Sequence, residues 1–266
     1  MLLFGDPKVG KSYAALQLAA CLTSGVDWLG FACPQPVPVV YVQLDTPRSL
    51  WAARVQTLAE SGHPVEALHY ADRETLDTHP FDILNPEHFA LLATALRTIT
   101  ERADDGTPCV VHPGAIIIDT LREAHSGDEN DSTEMQDVIA HLDAAVKPAS
   151  LILISHARKS NPEHGHDLMN DNRGSNYIVG RMDSIVRFSK SSMRCTSRTL
   201  EEQTVKLERQ DDGTWNLAED PFPGIAESVC QMNPAASTRE LARLIHERFP
   251  AKSEAAARAW LRRHKA

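Results

Sequence analysis

Residues Gly5–Ser12, GDPKVGKS, match the phosphate-binding pattern G-x-x-x-x-G-K-S, and the apolar residues Met1–Phe4 before them have the character of a short strand. The stretch Ser12–Leu22 places alanine and leucine side chains on one helical face. A strand, a glycine-containing loop and a helix therefore follow one another in the order that phosphate binding needs. This part of the chain predicts an α/β fold that binds a nucleoside triphosphate.

The chemistry of this loop, the P-loop, assigns roles to its residues. We expect Gly5 and Gly10 to adopt backbone conformations that a side chain would forbid, so that backbone N–H groups point at phosphate oxygens. Lys11 would reach the β- and γ-phosphates of ATP, and Ser12 would place its hydroxyl on Mg²⁺. The predicted nucleotide-binding residues are Gly5, Asp6, Pro7, Lys8, Val9, Gly10, Lys11, Ser12 and Tyr13.

The composition is that of one α/β domain of ordinary size with a small addition. Hydrophobic residues make up 42% of the 266 residues, which is ample for a full core. The chain has no long apolar run, its start lacks the regions of a secretory signal, and its five cysteines show no paired or metal-like spacing. We therefore expect a cytoplasmic protein without a membrane partner.

Charge is unevenly distributed along the chain. The formal net charge of −9 disfavours a uniformly basic nucleic-acid binder. Asn233–Ala266 nevertheless contains eight basic and three acidic residues, a net charge of +5 that leaves −14 for the remainder. The C-terminal region is therefore electrostatically distinct from the rest of the chain.

Short apolar runs alternate with helical patterns, which is typical of a mostly parallel sheet covered on both faces. The predicted strands are Val39–Leu44, Leu68–Tyr70, Ala115–Ile118, Leu151–Ser155 and Ser184–Phe188. The predicted helices, each preceded by a capping residue, are Pro47–Ala59 after Thr46, Pro86–Arg102 after Asn85 and Thr133–Val146 after Ser132. Farther along, Thr204–Glu208 and Thr214–Leu217 flank a turn and predict a hairpin.

The stretch Ala115–Asp119, AIIID, is an apolar strand that ends in a carboxylate. Such a carboxylate can simply cap a turn, but beside a P-loop we expect Asp119 to hold Mg²⁺. The next residue is Thr120 rather than a second acid, so the group that orients the attacking water must lie elsewhere. The best candidate is Asp45, which ends the strand VVYVQLD.

Four segments together resemble a RecA-like ATPase, and most closely the RepA-type hexameric helicases of plasmids and related phage and bacterial proteins. The resemblance covers about residues 1–217 and preserves the order of the family's motifs. The segments are the P-loop, Tyr41–Val55 with an arginine at Arg54, Ile116–Met135 with its acidic loop, and the pair Leu151–Lys159 and Arg173–Asp183.

This resemblance implies that Asp45 positions water, Asp119 holds the metal, and His156 senses the γ-phosphate and relays its loss to a DNA-contacting loop. Asp45 stands where the family usually has glutamate, which is one methylene longer. Two other roles are open: Asp45 could serve only as a charge at a helix start, and His156 could be a buried histidine bonded to the backbone.

The resemblance also implies a homo-oligomer, a hexameric ring with single-stranded DNA in its channel. Each nucleotide would lie between subunits and receive an arginine finger from the neighbour. The segment Lys206–Gly213, KLERQDDG, makes Arg209 the leading candidate for that finger, with Arg173 and Arg181 as rivals.

A polar loop, residues 161–172, follows the His156 strand, where RecA-like proteins place loops that face the channel. Arg158, Lys159 and Arg173 could meet DNA phosphates there, although no aromatic residue is present for base stacking. A structural metal held by His156, His164 and His166 is not expected, because no cysteine or organised carboxylate completes the set. The acidic GDEND stretch, residues 127–131, could hold a second metal, but helix capping is the favoured interpretation.

The tail predicts two short helices. Ser237–Glu240 is a capping box that precedes an apolar stripe, and a second helix starts at Ser253. A tight turn and the arginines Arg258, Arg262 and Arg263 make the pair similar to a helix-turn-helix module, while docking on the core or on a neighbouring subunit is an equal alternative.

The sequence thus predicts an α/β RecA-like P-loop NTPase core with a mostly parallel sheet over residues 1–217, a linker over 218–233, and a basic helical tail over 234–266. The predicted function is that of an ATP-dependent DNA helicase or translocase. The alternatives are a RecA-like recombinase or strand-annealing protein, a regulatory or loader ATPase without motor activity, and a binding module with a weak ATPase.

Overall fold

A computed structural model describes residues 1–76, 80–97, 99–102, 108–157, 168, 172, 176–218, 222–234, 236–248 and 254–264. The strands are β1 Leu2–Gly5, β2 Val39–Gln43, β3 Leu68–Asp72, β4 Ile99–Arg102, β5 Pro108–Val111, β6 Ala115–Asp119, β7 Ser150–His156, β8 Ser184–Phe188, β9 Ser192–Ser197, β10 Gln203–Arg209 and β11 Trp215–Leu217. The helices are α1 Lys11–Ser24, α2 Arg48–Glu60, α3 Pro86–Arg97, α4 Ser132–Val146, α5 Asn176–Arg181, α6 Phe222–Met232, α7 Thr238–Arg248 and α8 Glu254–His264, with a 3₁₀ turn at Leu121–Ala124.

The central sheet has nine strands in the order β11-β10-β9-β8-β1-β7-β6-β2-β3. The six strands from β8 to β3 run parallel, whereas β9, β10 and β11 add to the edge in antiparallel fashion. This confirms the predicted mostly parallel sheet. The P-loop strand β1 and the Asp119 strand β6 are separated by β7, which carries His156.

Side chains of the parallel strands alternate between two hydrophobic layers, as the two-residue period of a strand requires. Ile116 and Ile118 of β6 pack in one layer, which α3 and α4 cover. Ala115 and Ile117 pack in the other layer, which is covered by α1 together with Trp51 and Leu58 of α2. The sheet is therefore buried on both faces, and its strand ends are left to form a site.

Three predicted helix boundaries were wrong. The helix predicted to run to Arg102 ends at Arg97, because the β-branched residues that follow favour an extended chain and form β4. Thr46 does not cap α2: its hydroxyl accepts a hydrogen bond from Arg54 Nη1 at 3.2 Å. The cap of α4 is Asp131, which accepts from the N–H groups of Thr133 and Glu134, so Ser132 is already helical.

The chain divides into two compact units, Met1–Leu217 and Ala218–Ala266. The predicted linker over 218–233 was wrong, because most of it forms α6. The second unit has a core of its own, formed by Ala226, Val229, Leu241, Ala242, Ile245, Ala257, Trp260 and Leu261. Within the described ranges, no helix is both long and apolar enough to cross a membrane.

Candidate nucleotide-binding site

The predicted site residues meet at the carboxyl edge of the sheet. β1 ends at Gly5, β7 at His156, β6 at Asp119 and β2 at Gln43, and these four strands are neighbours. Gly5 pairs in register with His156, and Asp119 with Gln43. Parallel strands thus bring the P-loop, His156 and Asp119 to the same end of the sheet, where α/β proteins bind ligands.

The two glycines of the P-loop are needed for different reasons. Gly10 has φ +94° and is the N-cap of α1, so its left-handed backbone agrees with the prediction. Gly5 does not have a positive φ. The prediction that it needs a backbone conformation forbidden to other residues was therefore wrong. A Cβ on Gly5 would lie 2.3 Å from the carbonyl oxygen of Phe188, so this position requires glycine because β8 passes too close.

The hairpin of β10 and β11 is fastened to the P-loop helix. Gln17 of α1 bonds the backbone of Trp215 twice: its Nε2 donates to the carbonyl at 2.8 Å, and its Oε1 accepts from the N–H at 2.9 Å. The Trp215 ring packs against Gly10, and its Nε1 donates to the Gly10 carbonyl at 3.4 Å. Both side chains are buried, so the hairpin and the P-loop form one rigid assembly.

The Lys11 side chain is buried and is held by backbone carbonyl groups of the P-loop. Its Nζ donates to the carbonyl oxygens of Gly5 and Asp6 at 2.9 Å each and lies 3.4 Å from Nδ1 of His156. The side chain is 6% exposed, and burial lowers the pKa of Lys11 to about 8, against the opposing effects of Asp119, Asp6 and Asp45. A phosphate anion would replace the carbonyl partners and relieve the cost of this buried charge.

Asp119, the predicted metal ligand, is a buried carboxylate at the end of β6. Its carboxylate is 1% exposed, and Tyr41 Oη donates to Oδ2 at 2.8 Å. Burial raises the pKa of Asp119, while Tyr41 and the nearby Ser12 hydroxyl lower it. The other oxygen, Oδ1, has no hydrogen-bond partner in the described part of the chain. A buried, unpartnered carboxylate oxygen facing a P-loop serine fits Mg²⁺, which takes oxygen ligands from one or two protein groups and from phosphate.

Asp45 lies on the turn between β2 and α2, with its side chain exposed. Its negative charge raises the pKa of both Lys11 and Asp119, so it is electrostatically close to them. No side chain caps the start of α2 within the described residues. A charge that acts on the helix dipole needs no hydrogen bond, so the helix-start role of Asp45 stays an alternative. The turn is fixed by Gln43, whose Oε1 accepts from the N–H groups of Asp45 and Thr46.

Two arginines flank Tyr13, the residue directly after Ser12. The guanidinium carbons of Arg54 and Arg209 lie 5.5 and 5.8 Å from the Tyr13 ring centroid. Arg209 therefore lies beside the P-loop helix of its own chain, on an exposed face. Its rival Arg181 lies just before β8, at the amino-terminal end of the parallel strands and therefore opposite the P-loop. It pairs with Asp143 at 3.8 Å. Arg173, the other rival, lies outside the described residues.

The predicted channel loop also falls outside the described residues, apart from Leu168 and Asn172. Arg158, Lys159, His164 and His166 are among the residues not described. In the part of the chain that is described, no group of three or more histidine, cysteine, aspartate or glutamate residues could hold a metal ion. The GDEND stretch ends in Asp131, which caps α4. This agrees with the favoured interpretation of the stretch as a helix cap, but the capping residue is Asp131 and not Ser132.

Sequence reasoning missed Gln17, Tyr41, Gln43 and Trp215. Tyr41 and Gln43 sit two residues apart in β2, and their polar groups interrupt an otherwise apolar strand. A polar side chain that the strand period places on a buried face is the signal that could have found them.

The nine-stranded α/β sheet, the glycine loop at the carboxyl end of β1 and the buried Asp119 define a P-loop NTPase. A family model described as AAA domain, AAA_25, matches residues 1–162. The chain belongs to this family of P-loop ATPases, within the RecA-like and AAA class. Membership implies that the protein binds a nucleotide, usually with Mg²⁺, and hydrolyses ATP.

Proposed function

We propose that the protein is an ATP-driven motor of the RepA-like type that moves along single-stranded DNA as a ring of identical subunits. The observation that carries this proposal is the contact between Lys11 Nζ and His156 Nδ1, at 3.4 Å. His156 ends β7, so the residue that would meet the γ-phosphate is connected directly to the loop that would meet DNA. This is the coupling that a motor needs.

The residues of the site divide the chemistry between them. Lys11 and the P-loop N–H groups bind the phosphates, and Asp45 orients the attacking water and accepts its proton. Ser12 and Asp119 would hold Mg²⁺, and the ion would supply positive charge beside the phosphate oxygens when bound. Loss of the γ-phosphate removes an acceptor from Lys11 and His156, so the hydrogen bonds of β7 rearrange and the loop after it changes its hold on DNA.

Arg209 is the proposed arginine finger. It is exposed and rests on Tyr13 only through a cation–π contact, which costs little to exchange for a neighbour's phosphate. The hairpin that carries Arg209 is joined to the P-loop helix by the hydrogen bonds between Gln17 and Trp215. A change at the nucleotide of one subunit would therefore move the arginine that contacts the nucleotide of the next subunit. A hexameric ring accommodates this arrangement at every interface.

Steady-state ATP hydrolysis with and without single-stranded DNA tests this function. We expect DNA to increase turnover severalfold, and Lys11→Ala to abolish turnover under both conditions. An unwinding assay on a forked duplex would then separate a helicase from a strand-annealing recombinase. Turnover that does not respond to DNA would instead favour the regulatory or loader ATPase.

We further propose that the unit Ala218–Ala266 binds duplex DNA as a helix-turn-helix-like module. Among the described residues, Leu241, Ala242 and Ile245 of α7 are buried inside the unit, so most of the described apolar stripe is not available for docking on another surface. Arg239 and Arg262 are exposed, while Arg243 and Arg258 pair with glutamates one turn away on their own helices. The side chain of Arg263 lies outside those described.

Binding of the full chain to a fluorescent duplex at increasing salt tests this second role. We expect Arg239→Gln with Arg262→Gln to weaken binding and to reduce the salt dependence. Arg198→Gln, which removes an exposed arginine of the other unit, is the matched control. Equal losses in both variants would contradict a DNA-binding surface on α7 and α8.

A further inference from the structure

Gln43 makes an unusual pair of hydrogen bonds at the end of β2. Its Oε1 accepts from the Asp45 N–H at 2.6 Å and from the Thr46 N–H at 2.9 Å. Because both partners are donors, the amide oxygen must face them and the amide nitrogen must point elsewhere. One side chain therefore fixes the backbone of the whole turn that carries Asp45.

Packing alone does not explain a glutamine at this position. The side chain is 1% exposed, and its Nε2 has no hydrogen-bond partner within the described residues. A methionine would fill nearly the same volume without leaving a buried donor unpaired. The amide group of Gln43 is explained only by the two backbone N–H groups that its oxygen accepts from.

The position of Gln43 in the sheet links it to both carboxylates. It pairs in register with Asp119 on β6, and it shares a face of β2 with Tyr41, which donates to Asp119 Oδ2. β2 thus holds the Asp119 carboxylate through Tyr41 and the Asp45 turn through Gln43. The separation of the two acids is set by one rigid strand.

We infer that Gln43 is a positioning residue that fixes Asp45 relative to Asp119 and so places the attacking water. This inference rests on the proposed function, in which Asp45 orients that water. Gln43 acts through Asp45 and does not itself touch the nucleotide. Its loss is therefore expected to lower kcat and to leave nucleotide affinity unchanged.

The test is a double-mutant cycle of Gln43→Met and Asp45→Asn, read by steady-state ATP hydrolysis and by binding of a fluorescent ATP analogue. We expect Gln43→Met to lower kcat about 10- to 100-fold with KM and analogue affinity within about twofold. In the Asp45→Asn background, the same change should lower kcat by less than about twofold. Val42→Ala, a buried change on the same strand, should lower thermal stability without this loss of kcat.

The outcomes separate the inference from the function on which it rests. Wild-type turnover no greater than that of Lys11→Ala would overturn the proposed ATPase function and the role of Gln43 with it. Full activity of Asp45→Asn would overturn the role of Asp45 and therefore that of Gln43. Turnover in the wild type that Gln43→Met leaves unchanged, or that it lowers equally with and without Asp45, would overturn the role of Gln43 alone.

Discussion

The P-loop region and the Asp45 turn, which we propose to act on the same nucleotide, are held in different ways. Around the P-loop, buried groups fix each other: Gln17 clamps Trp215, Trp215 covers Gly10, and Tyr41 holds Asp119. The Asp45 turn depends on one buried side chain, Gln43, while its other support is the Arg54–Thr46 hydrogen bond. More buried groups therefore hold the P-loop than hold the turn that we propose to place the attacking water.

Trp215→Ala should have the largest effect, because it removes a fully buried ring from the P-loop region. We expect the free energy of unfolding to fall by about 3–5 kcal/mol, from lost burial and the cavity left between Gly10 and Phe188. Denaturant unfolding measures this change, with the half-exposed Leu217→Ala as control on the same strand. If Trp215→Ala and Leu217→Ala lowered the free energy of unfolding by the same small amount, the P-loop region would not be the more tightly packed of the two.

Asp119→Asn should lower activity and raise stability. We expect turnover to fall about 100-fold or more, because the amide is a poor ligand for Mg²⁺. Burial raises the pKa of Asp119, so folding disfavours its ionised form at pH values above the pKa of the unfolded chain. The variant should therefore melt at a higher temperature than the wild type at pH 7.5, and the difference should shrink as the pH falls towards 4.

Thermal melts across that pH range, measured beside an ATPase assay, check both parts. A melting temperature of Asp119→Asn below that of the wild type at pH 7.5 would mean that the Tyr41 hydrogen bond outweighs the cost of burial.

Asp45→Glu should change turnover, because it lengthens the carboxylate side chain on the turn that Gln43 holds. The longer side chain reaches farther from the same turn, and glutamate is usual at this position in the family that the sequence resembles. We expect turnover to increase by up to about tenfold with little change in KM. A drop in turnover would mean that the turn is already matched to aspartate.

Arg48→Met should have the smallest effect. Arg48 Nε donates to Asp72 at 2.7 Å and lowers the pKa of Asp72 to about 2, but the arginine is solvent-exposed. We expect Tm to fall by no more than about 2 °C at pH 7.5, because solvent screens such pairs. Since the pKa of Asp72 is lowered on folding, this contribution should disappear between pH 4 and pH 2, which thermal melts can follow.

Local patterns were enough to predict the P-loop, the Asp119 strand and the alternation of strands and helices. The supports of the site were not predictable in that way, because they join residues far apart: Tyr41 and Asp119 are 78 positions apart, and Gln17 and Trp215 are 198 apart. The start of α6 was not predicted, because the sequence there contains Pro221, Pro223 and Gly224, which are typical of a linker. Proline is nevertheless tolerated in a first helical turn. Only the assembled sheet brings these groups together.

We propose that one set of residues binds the nucleotide and that another, the Asp45 turn, places the attacking water. The most direct measurement is calorimetric binding of a non-hydrolysable ATP analogue with Mg²⁺ to the wild type, Lys11→Ala and Asp45→Asn. We predict that Asp45→Asn binds within about threefold of the wild type, and that Lys11→Ala loses binding by about 100-fold or more. Loss of binding in Asp45→Asn comparable to that in Lys11→Ala would contradict the claim.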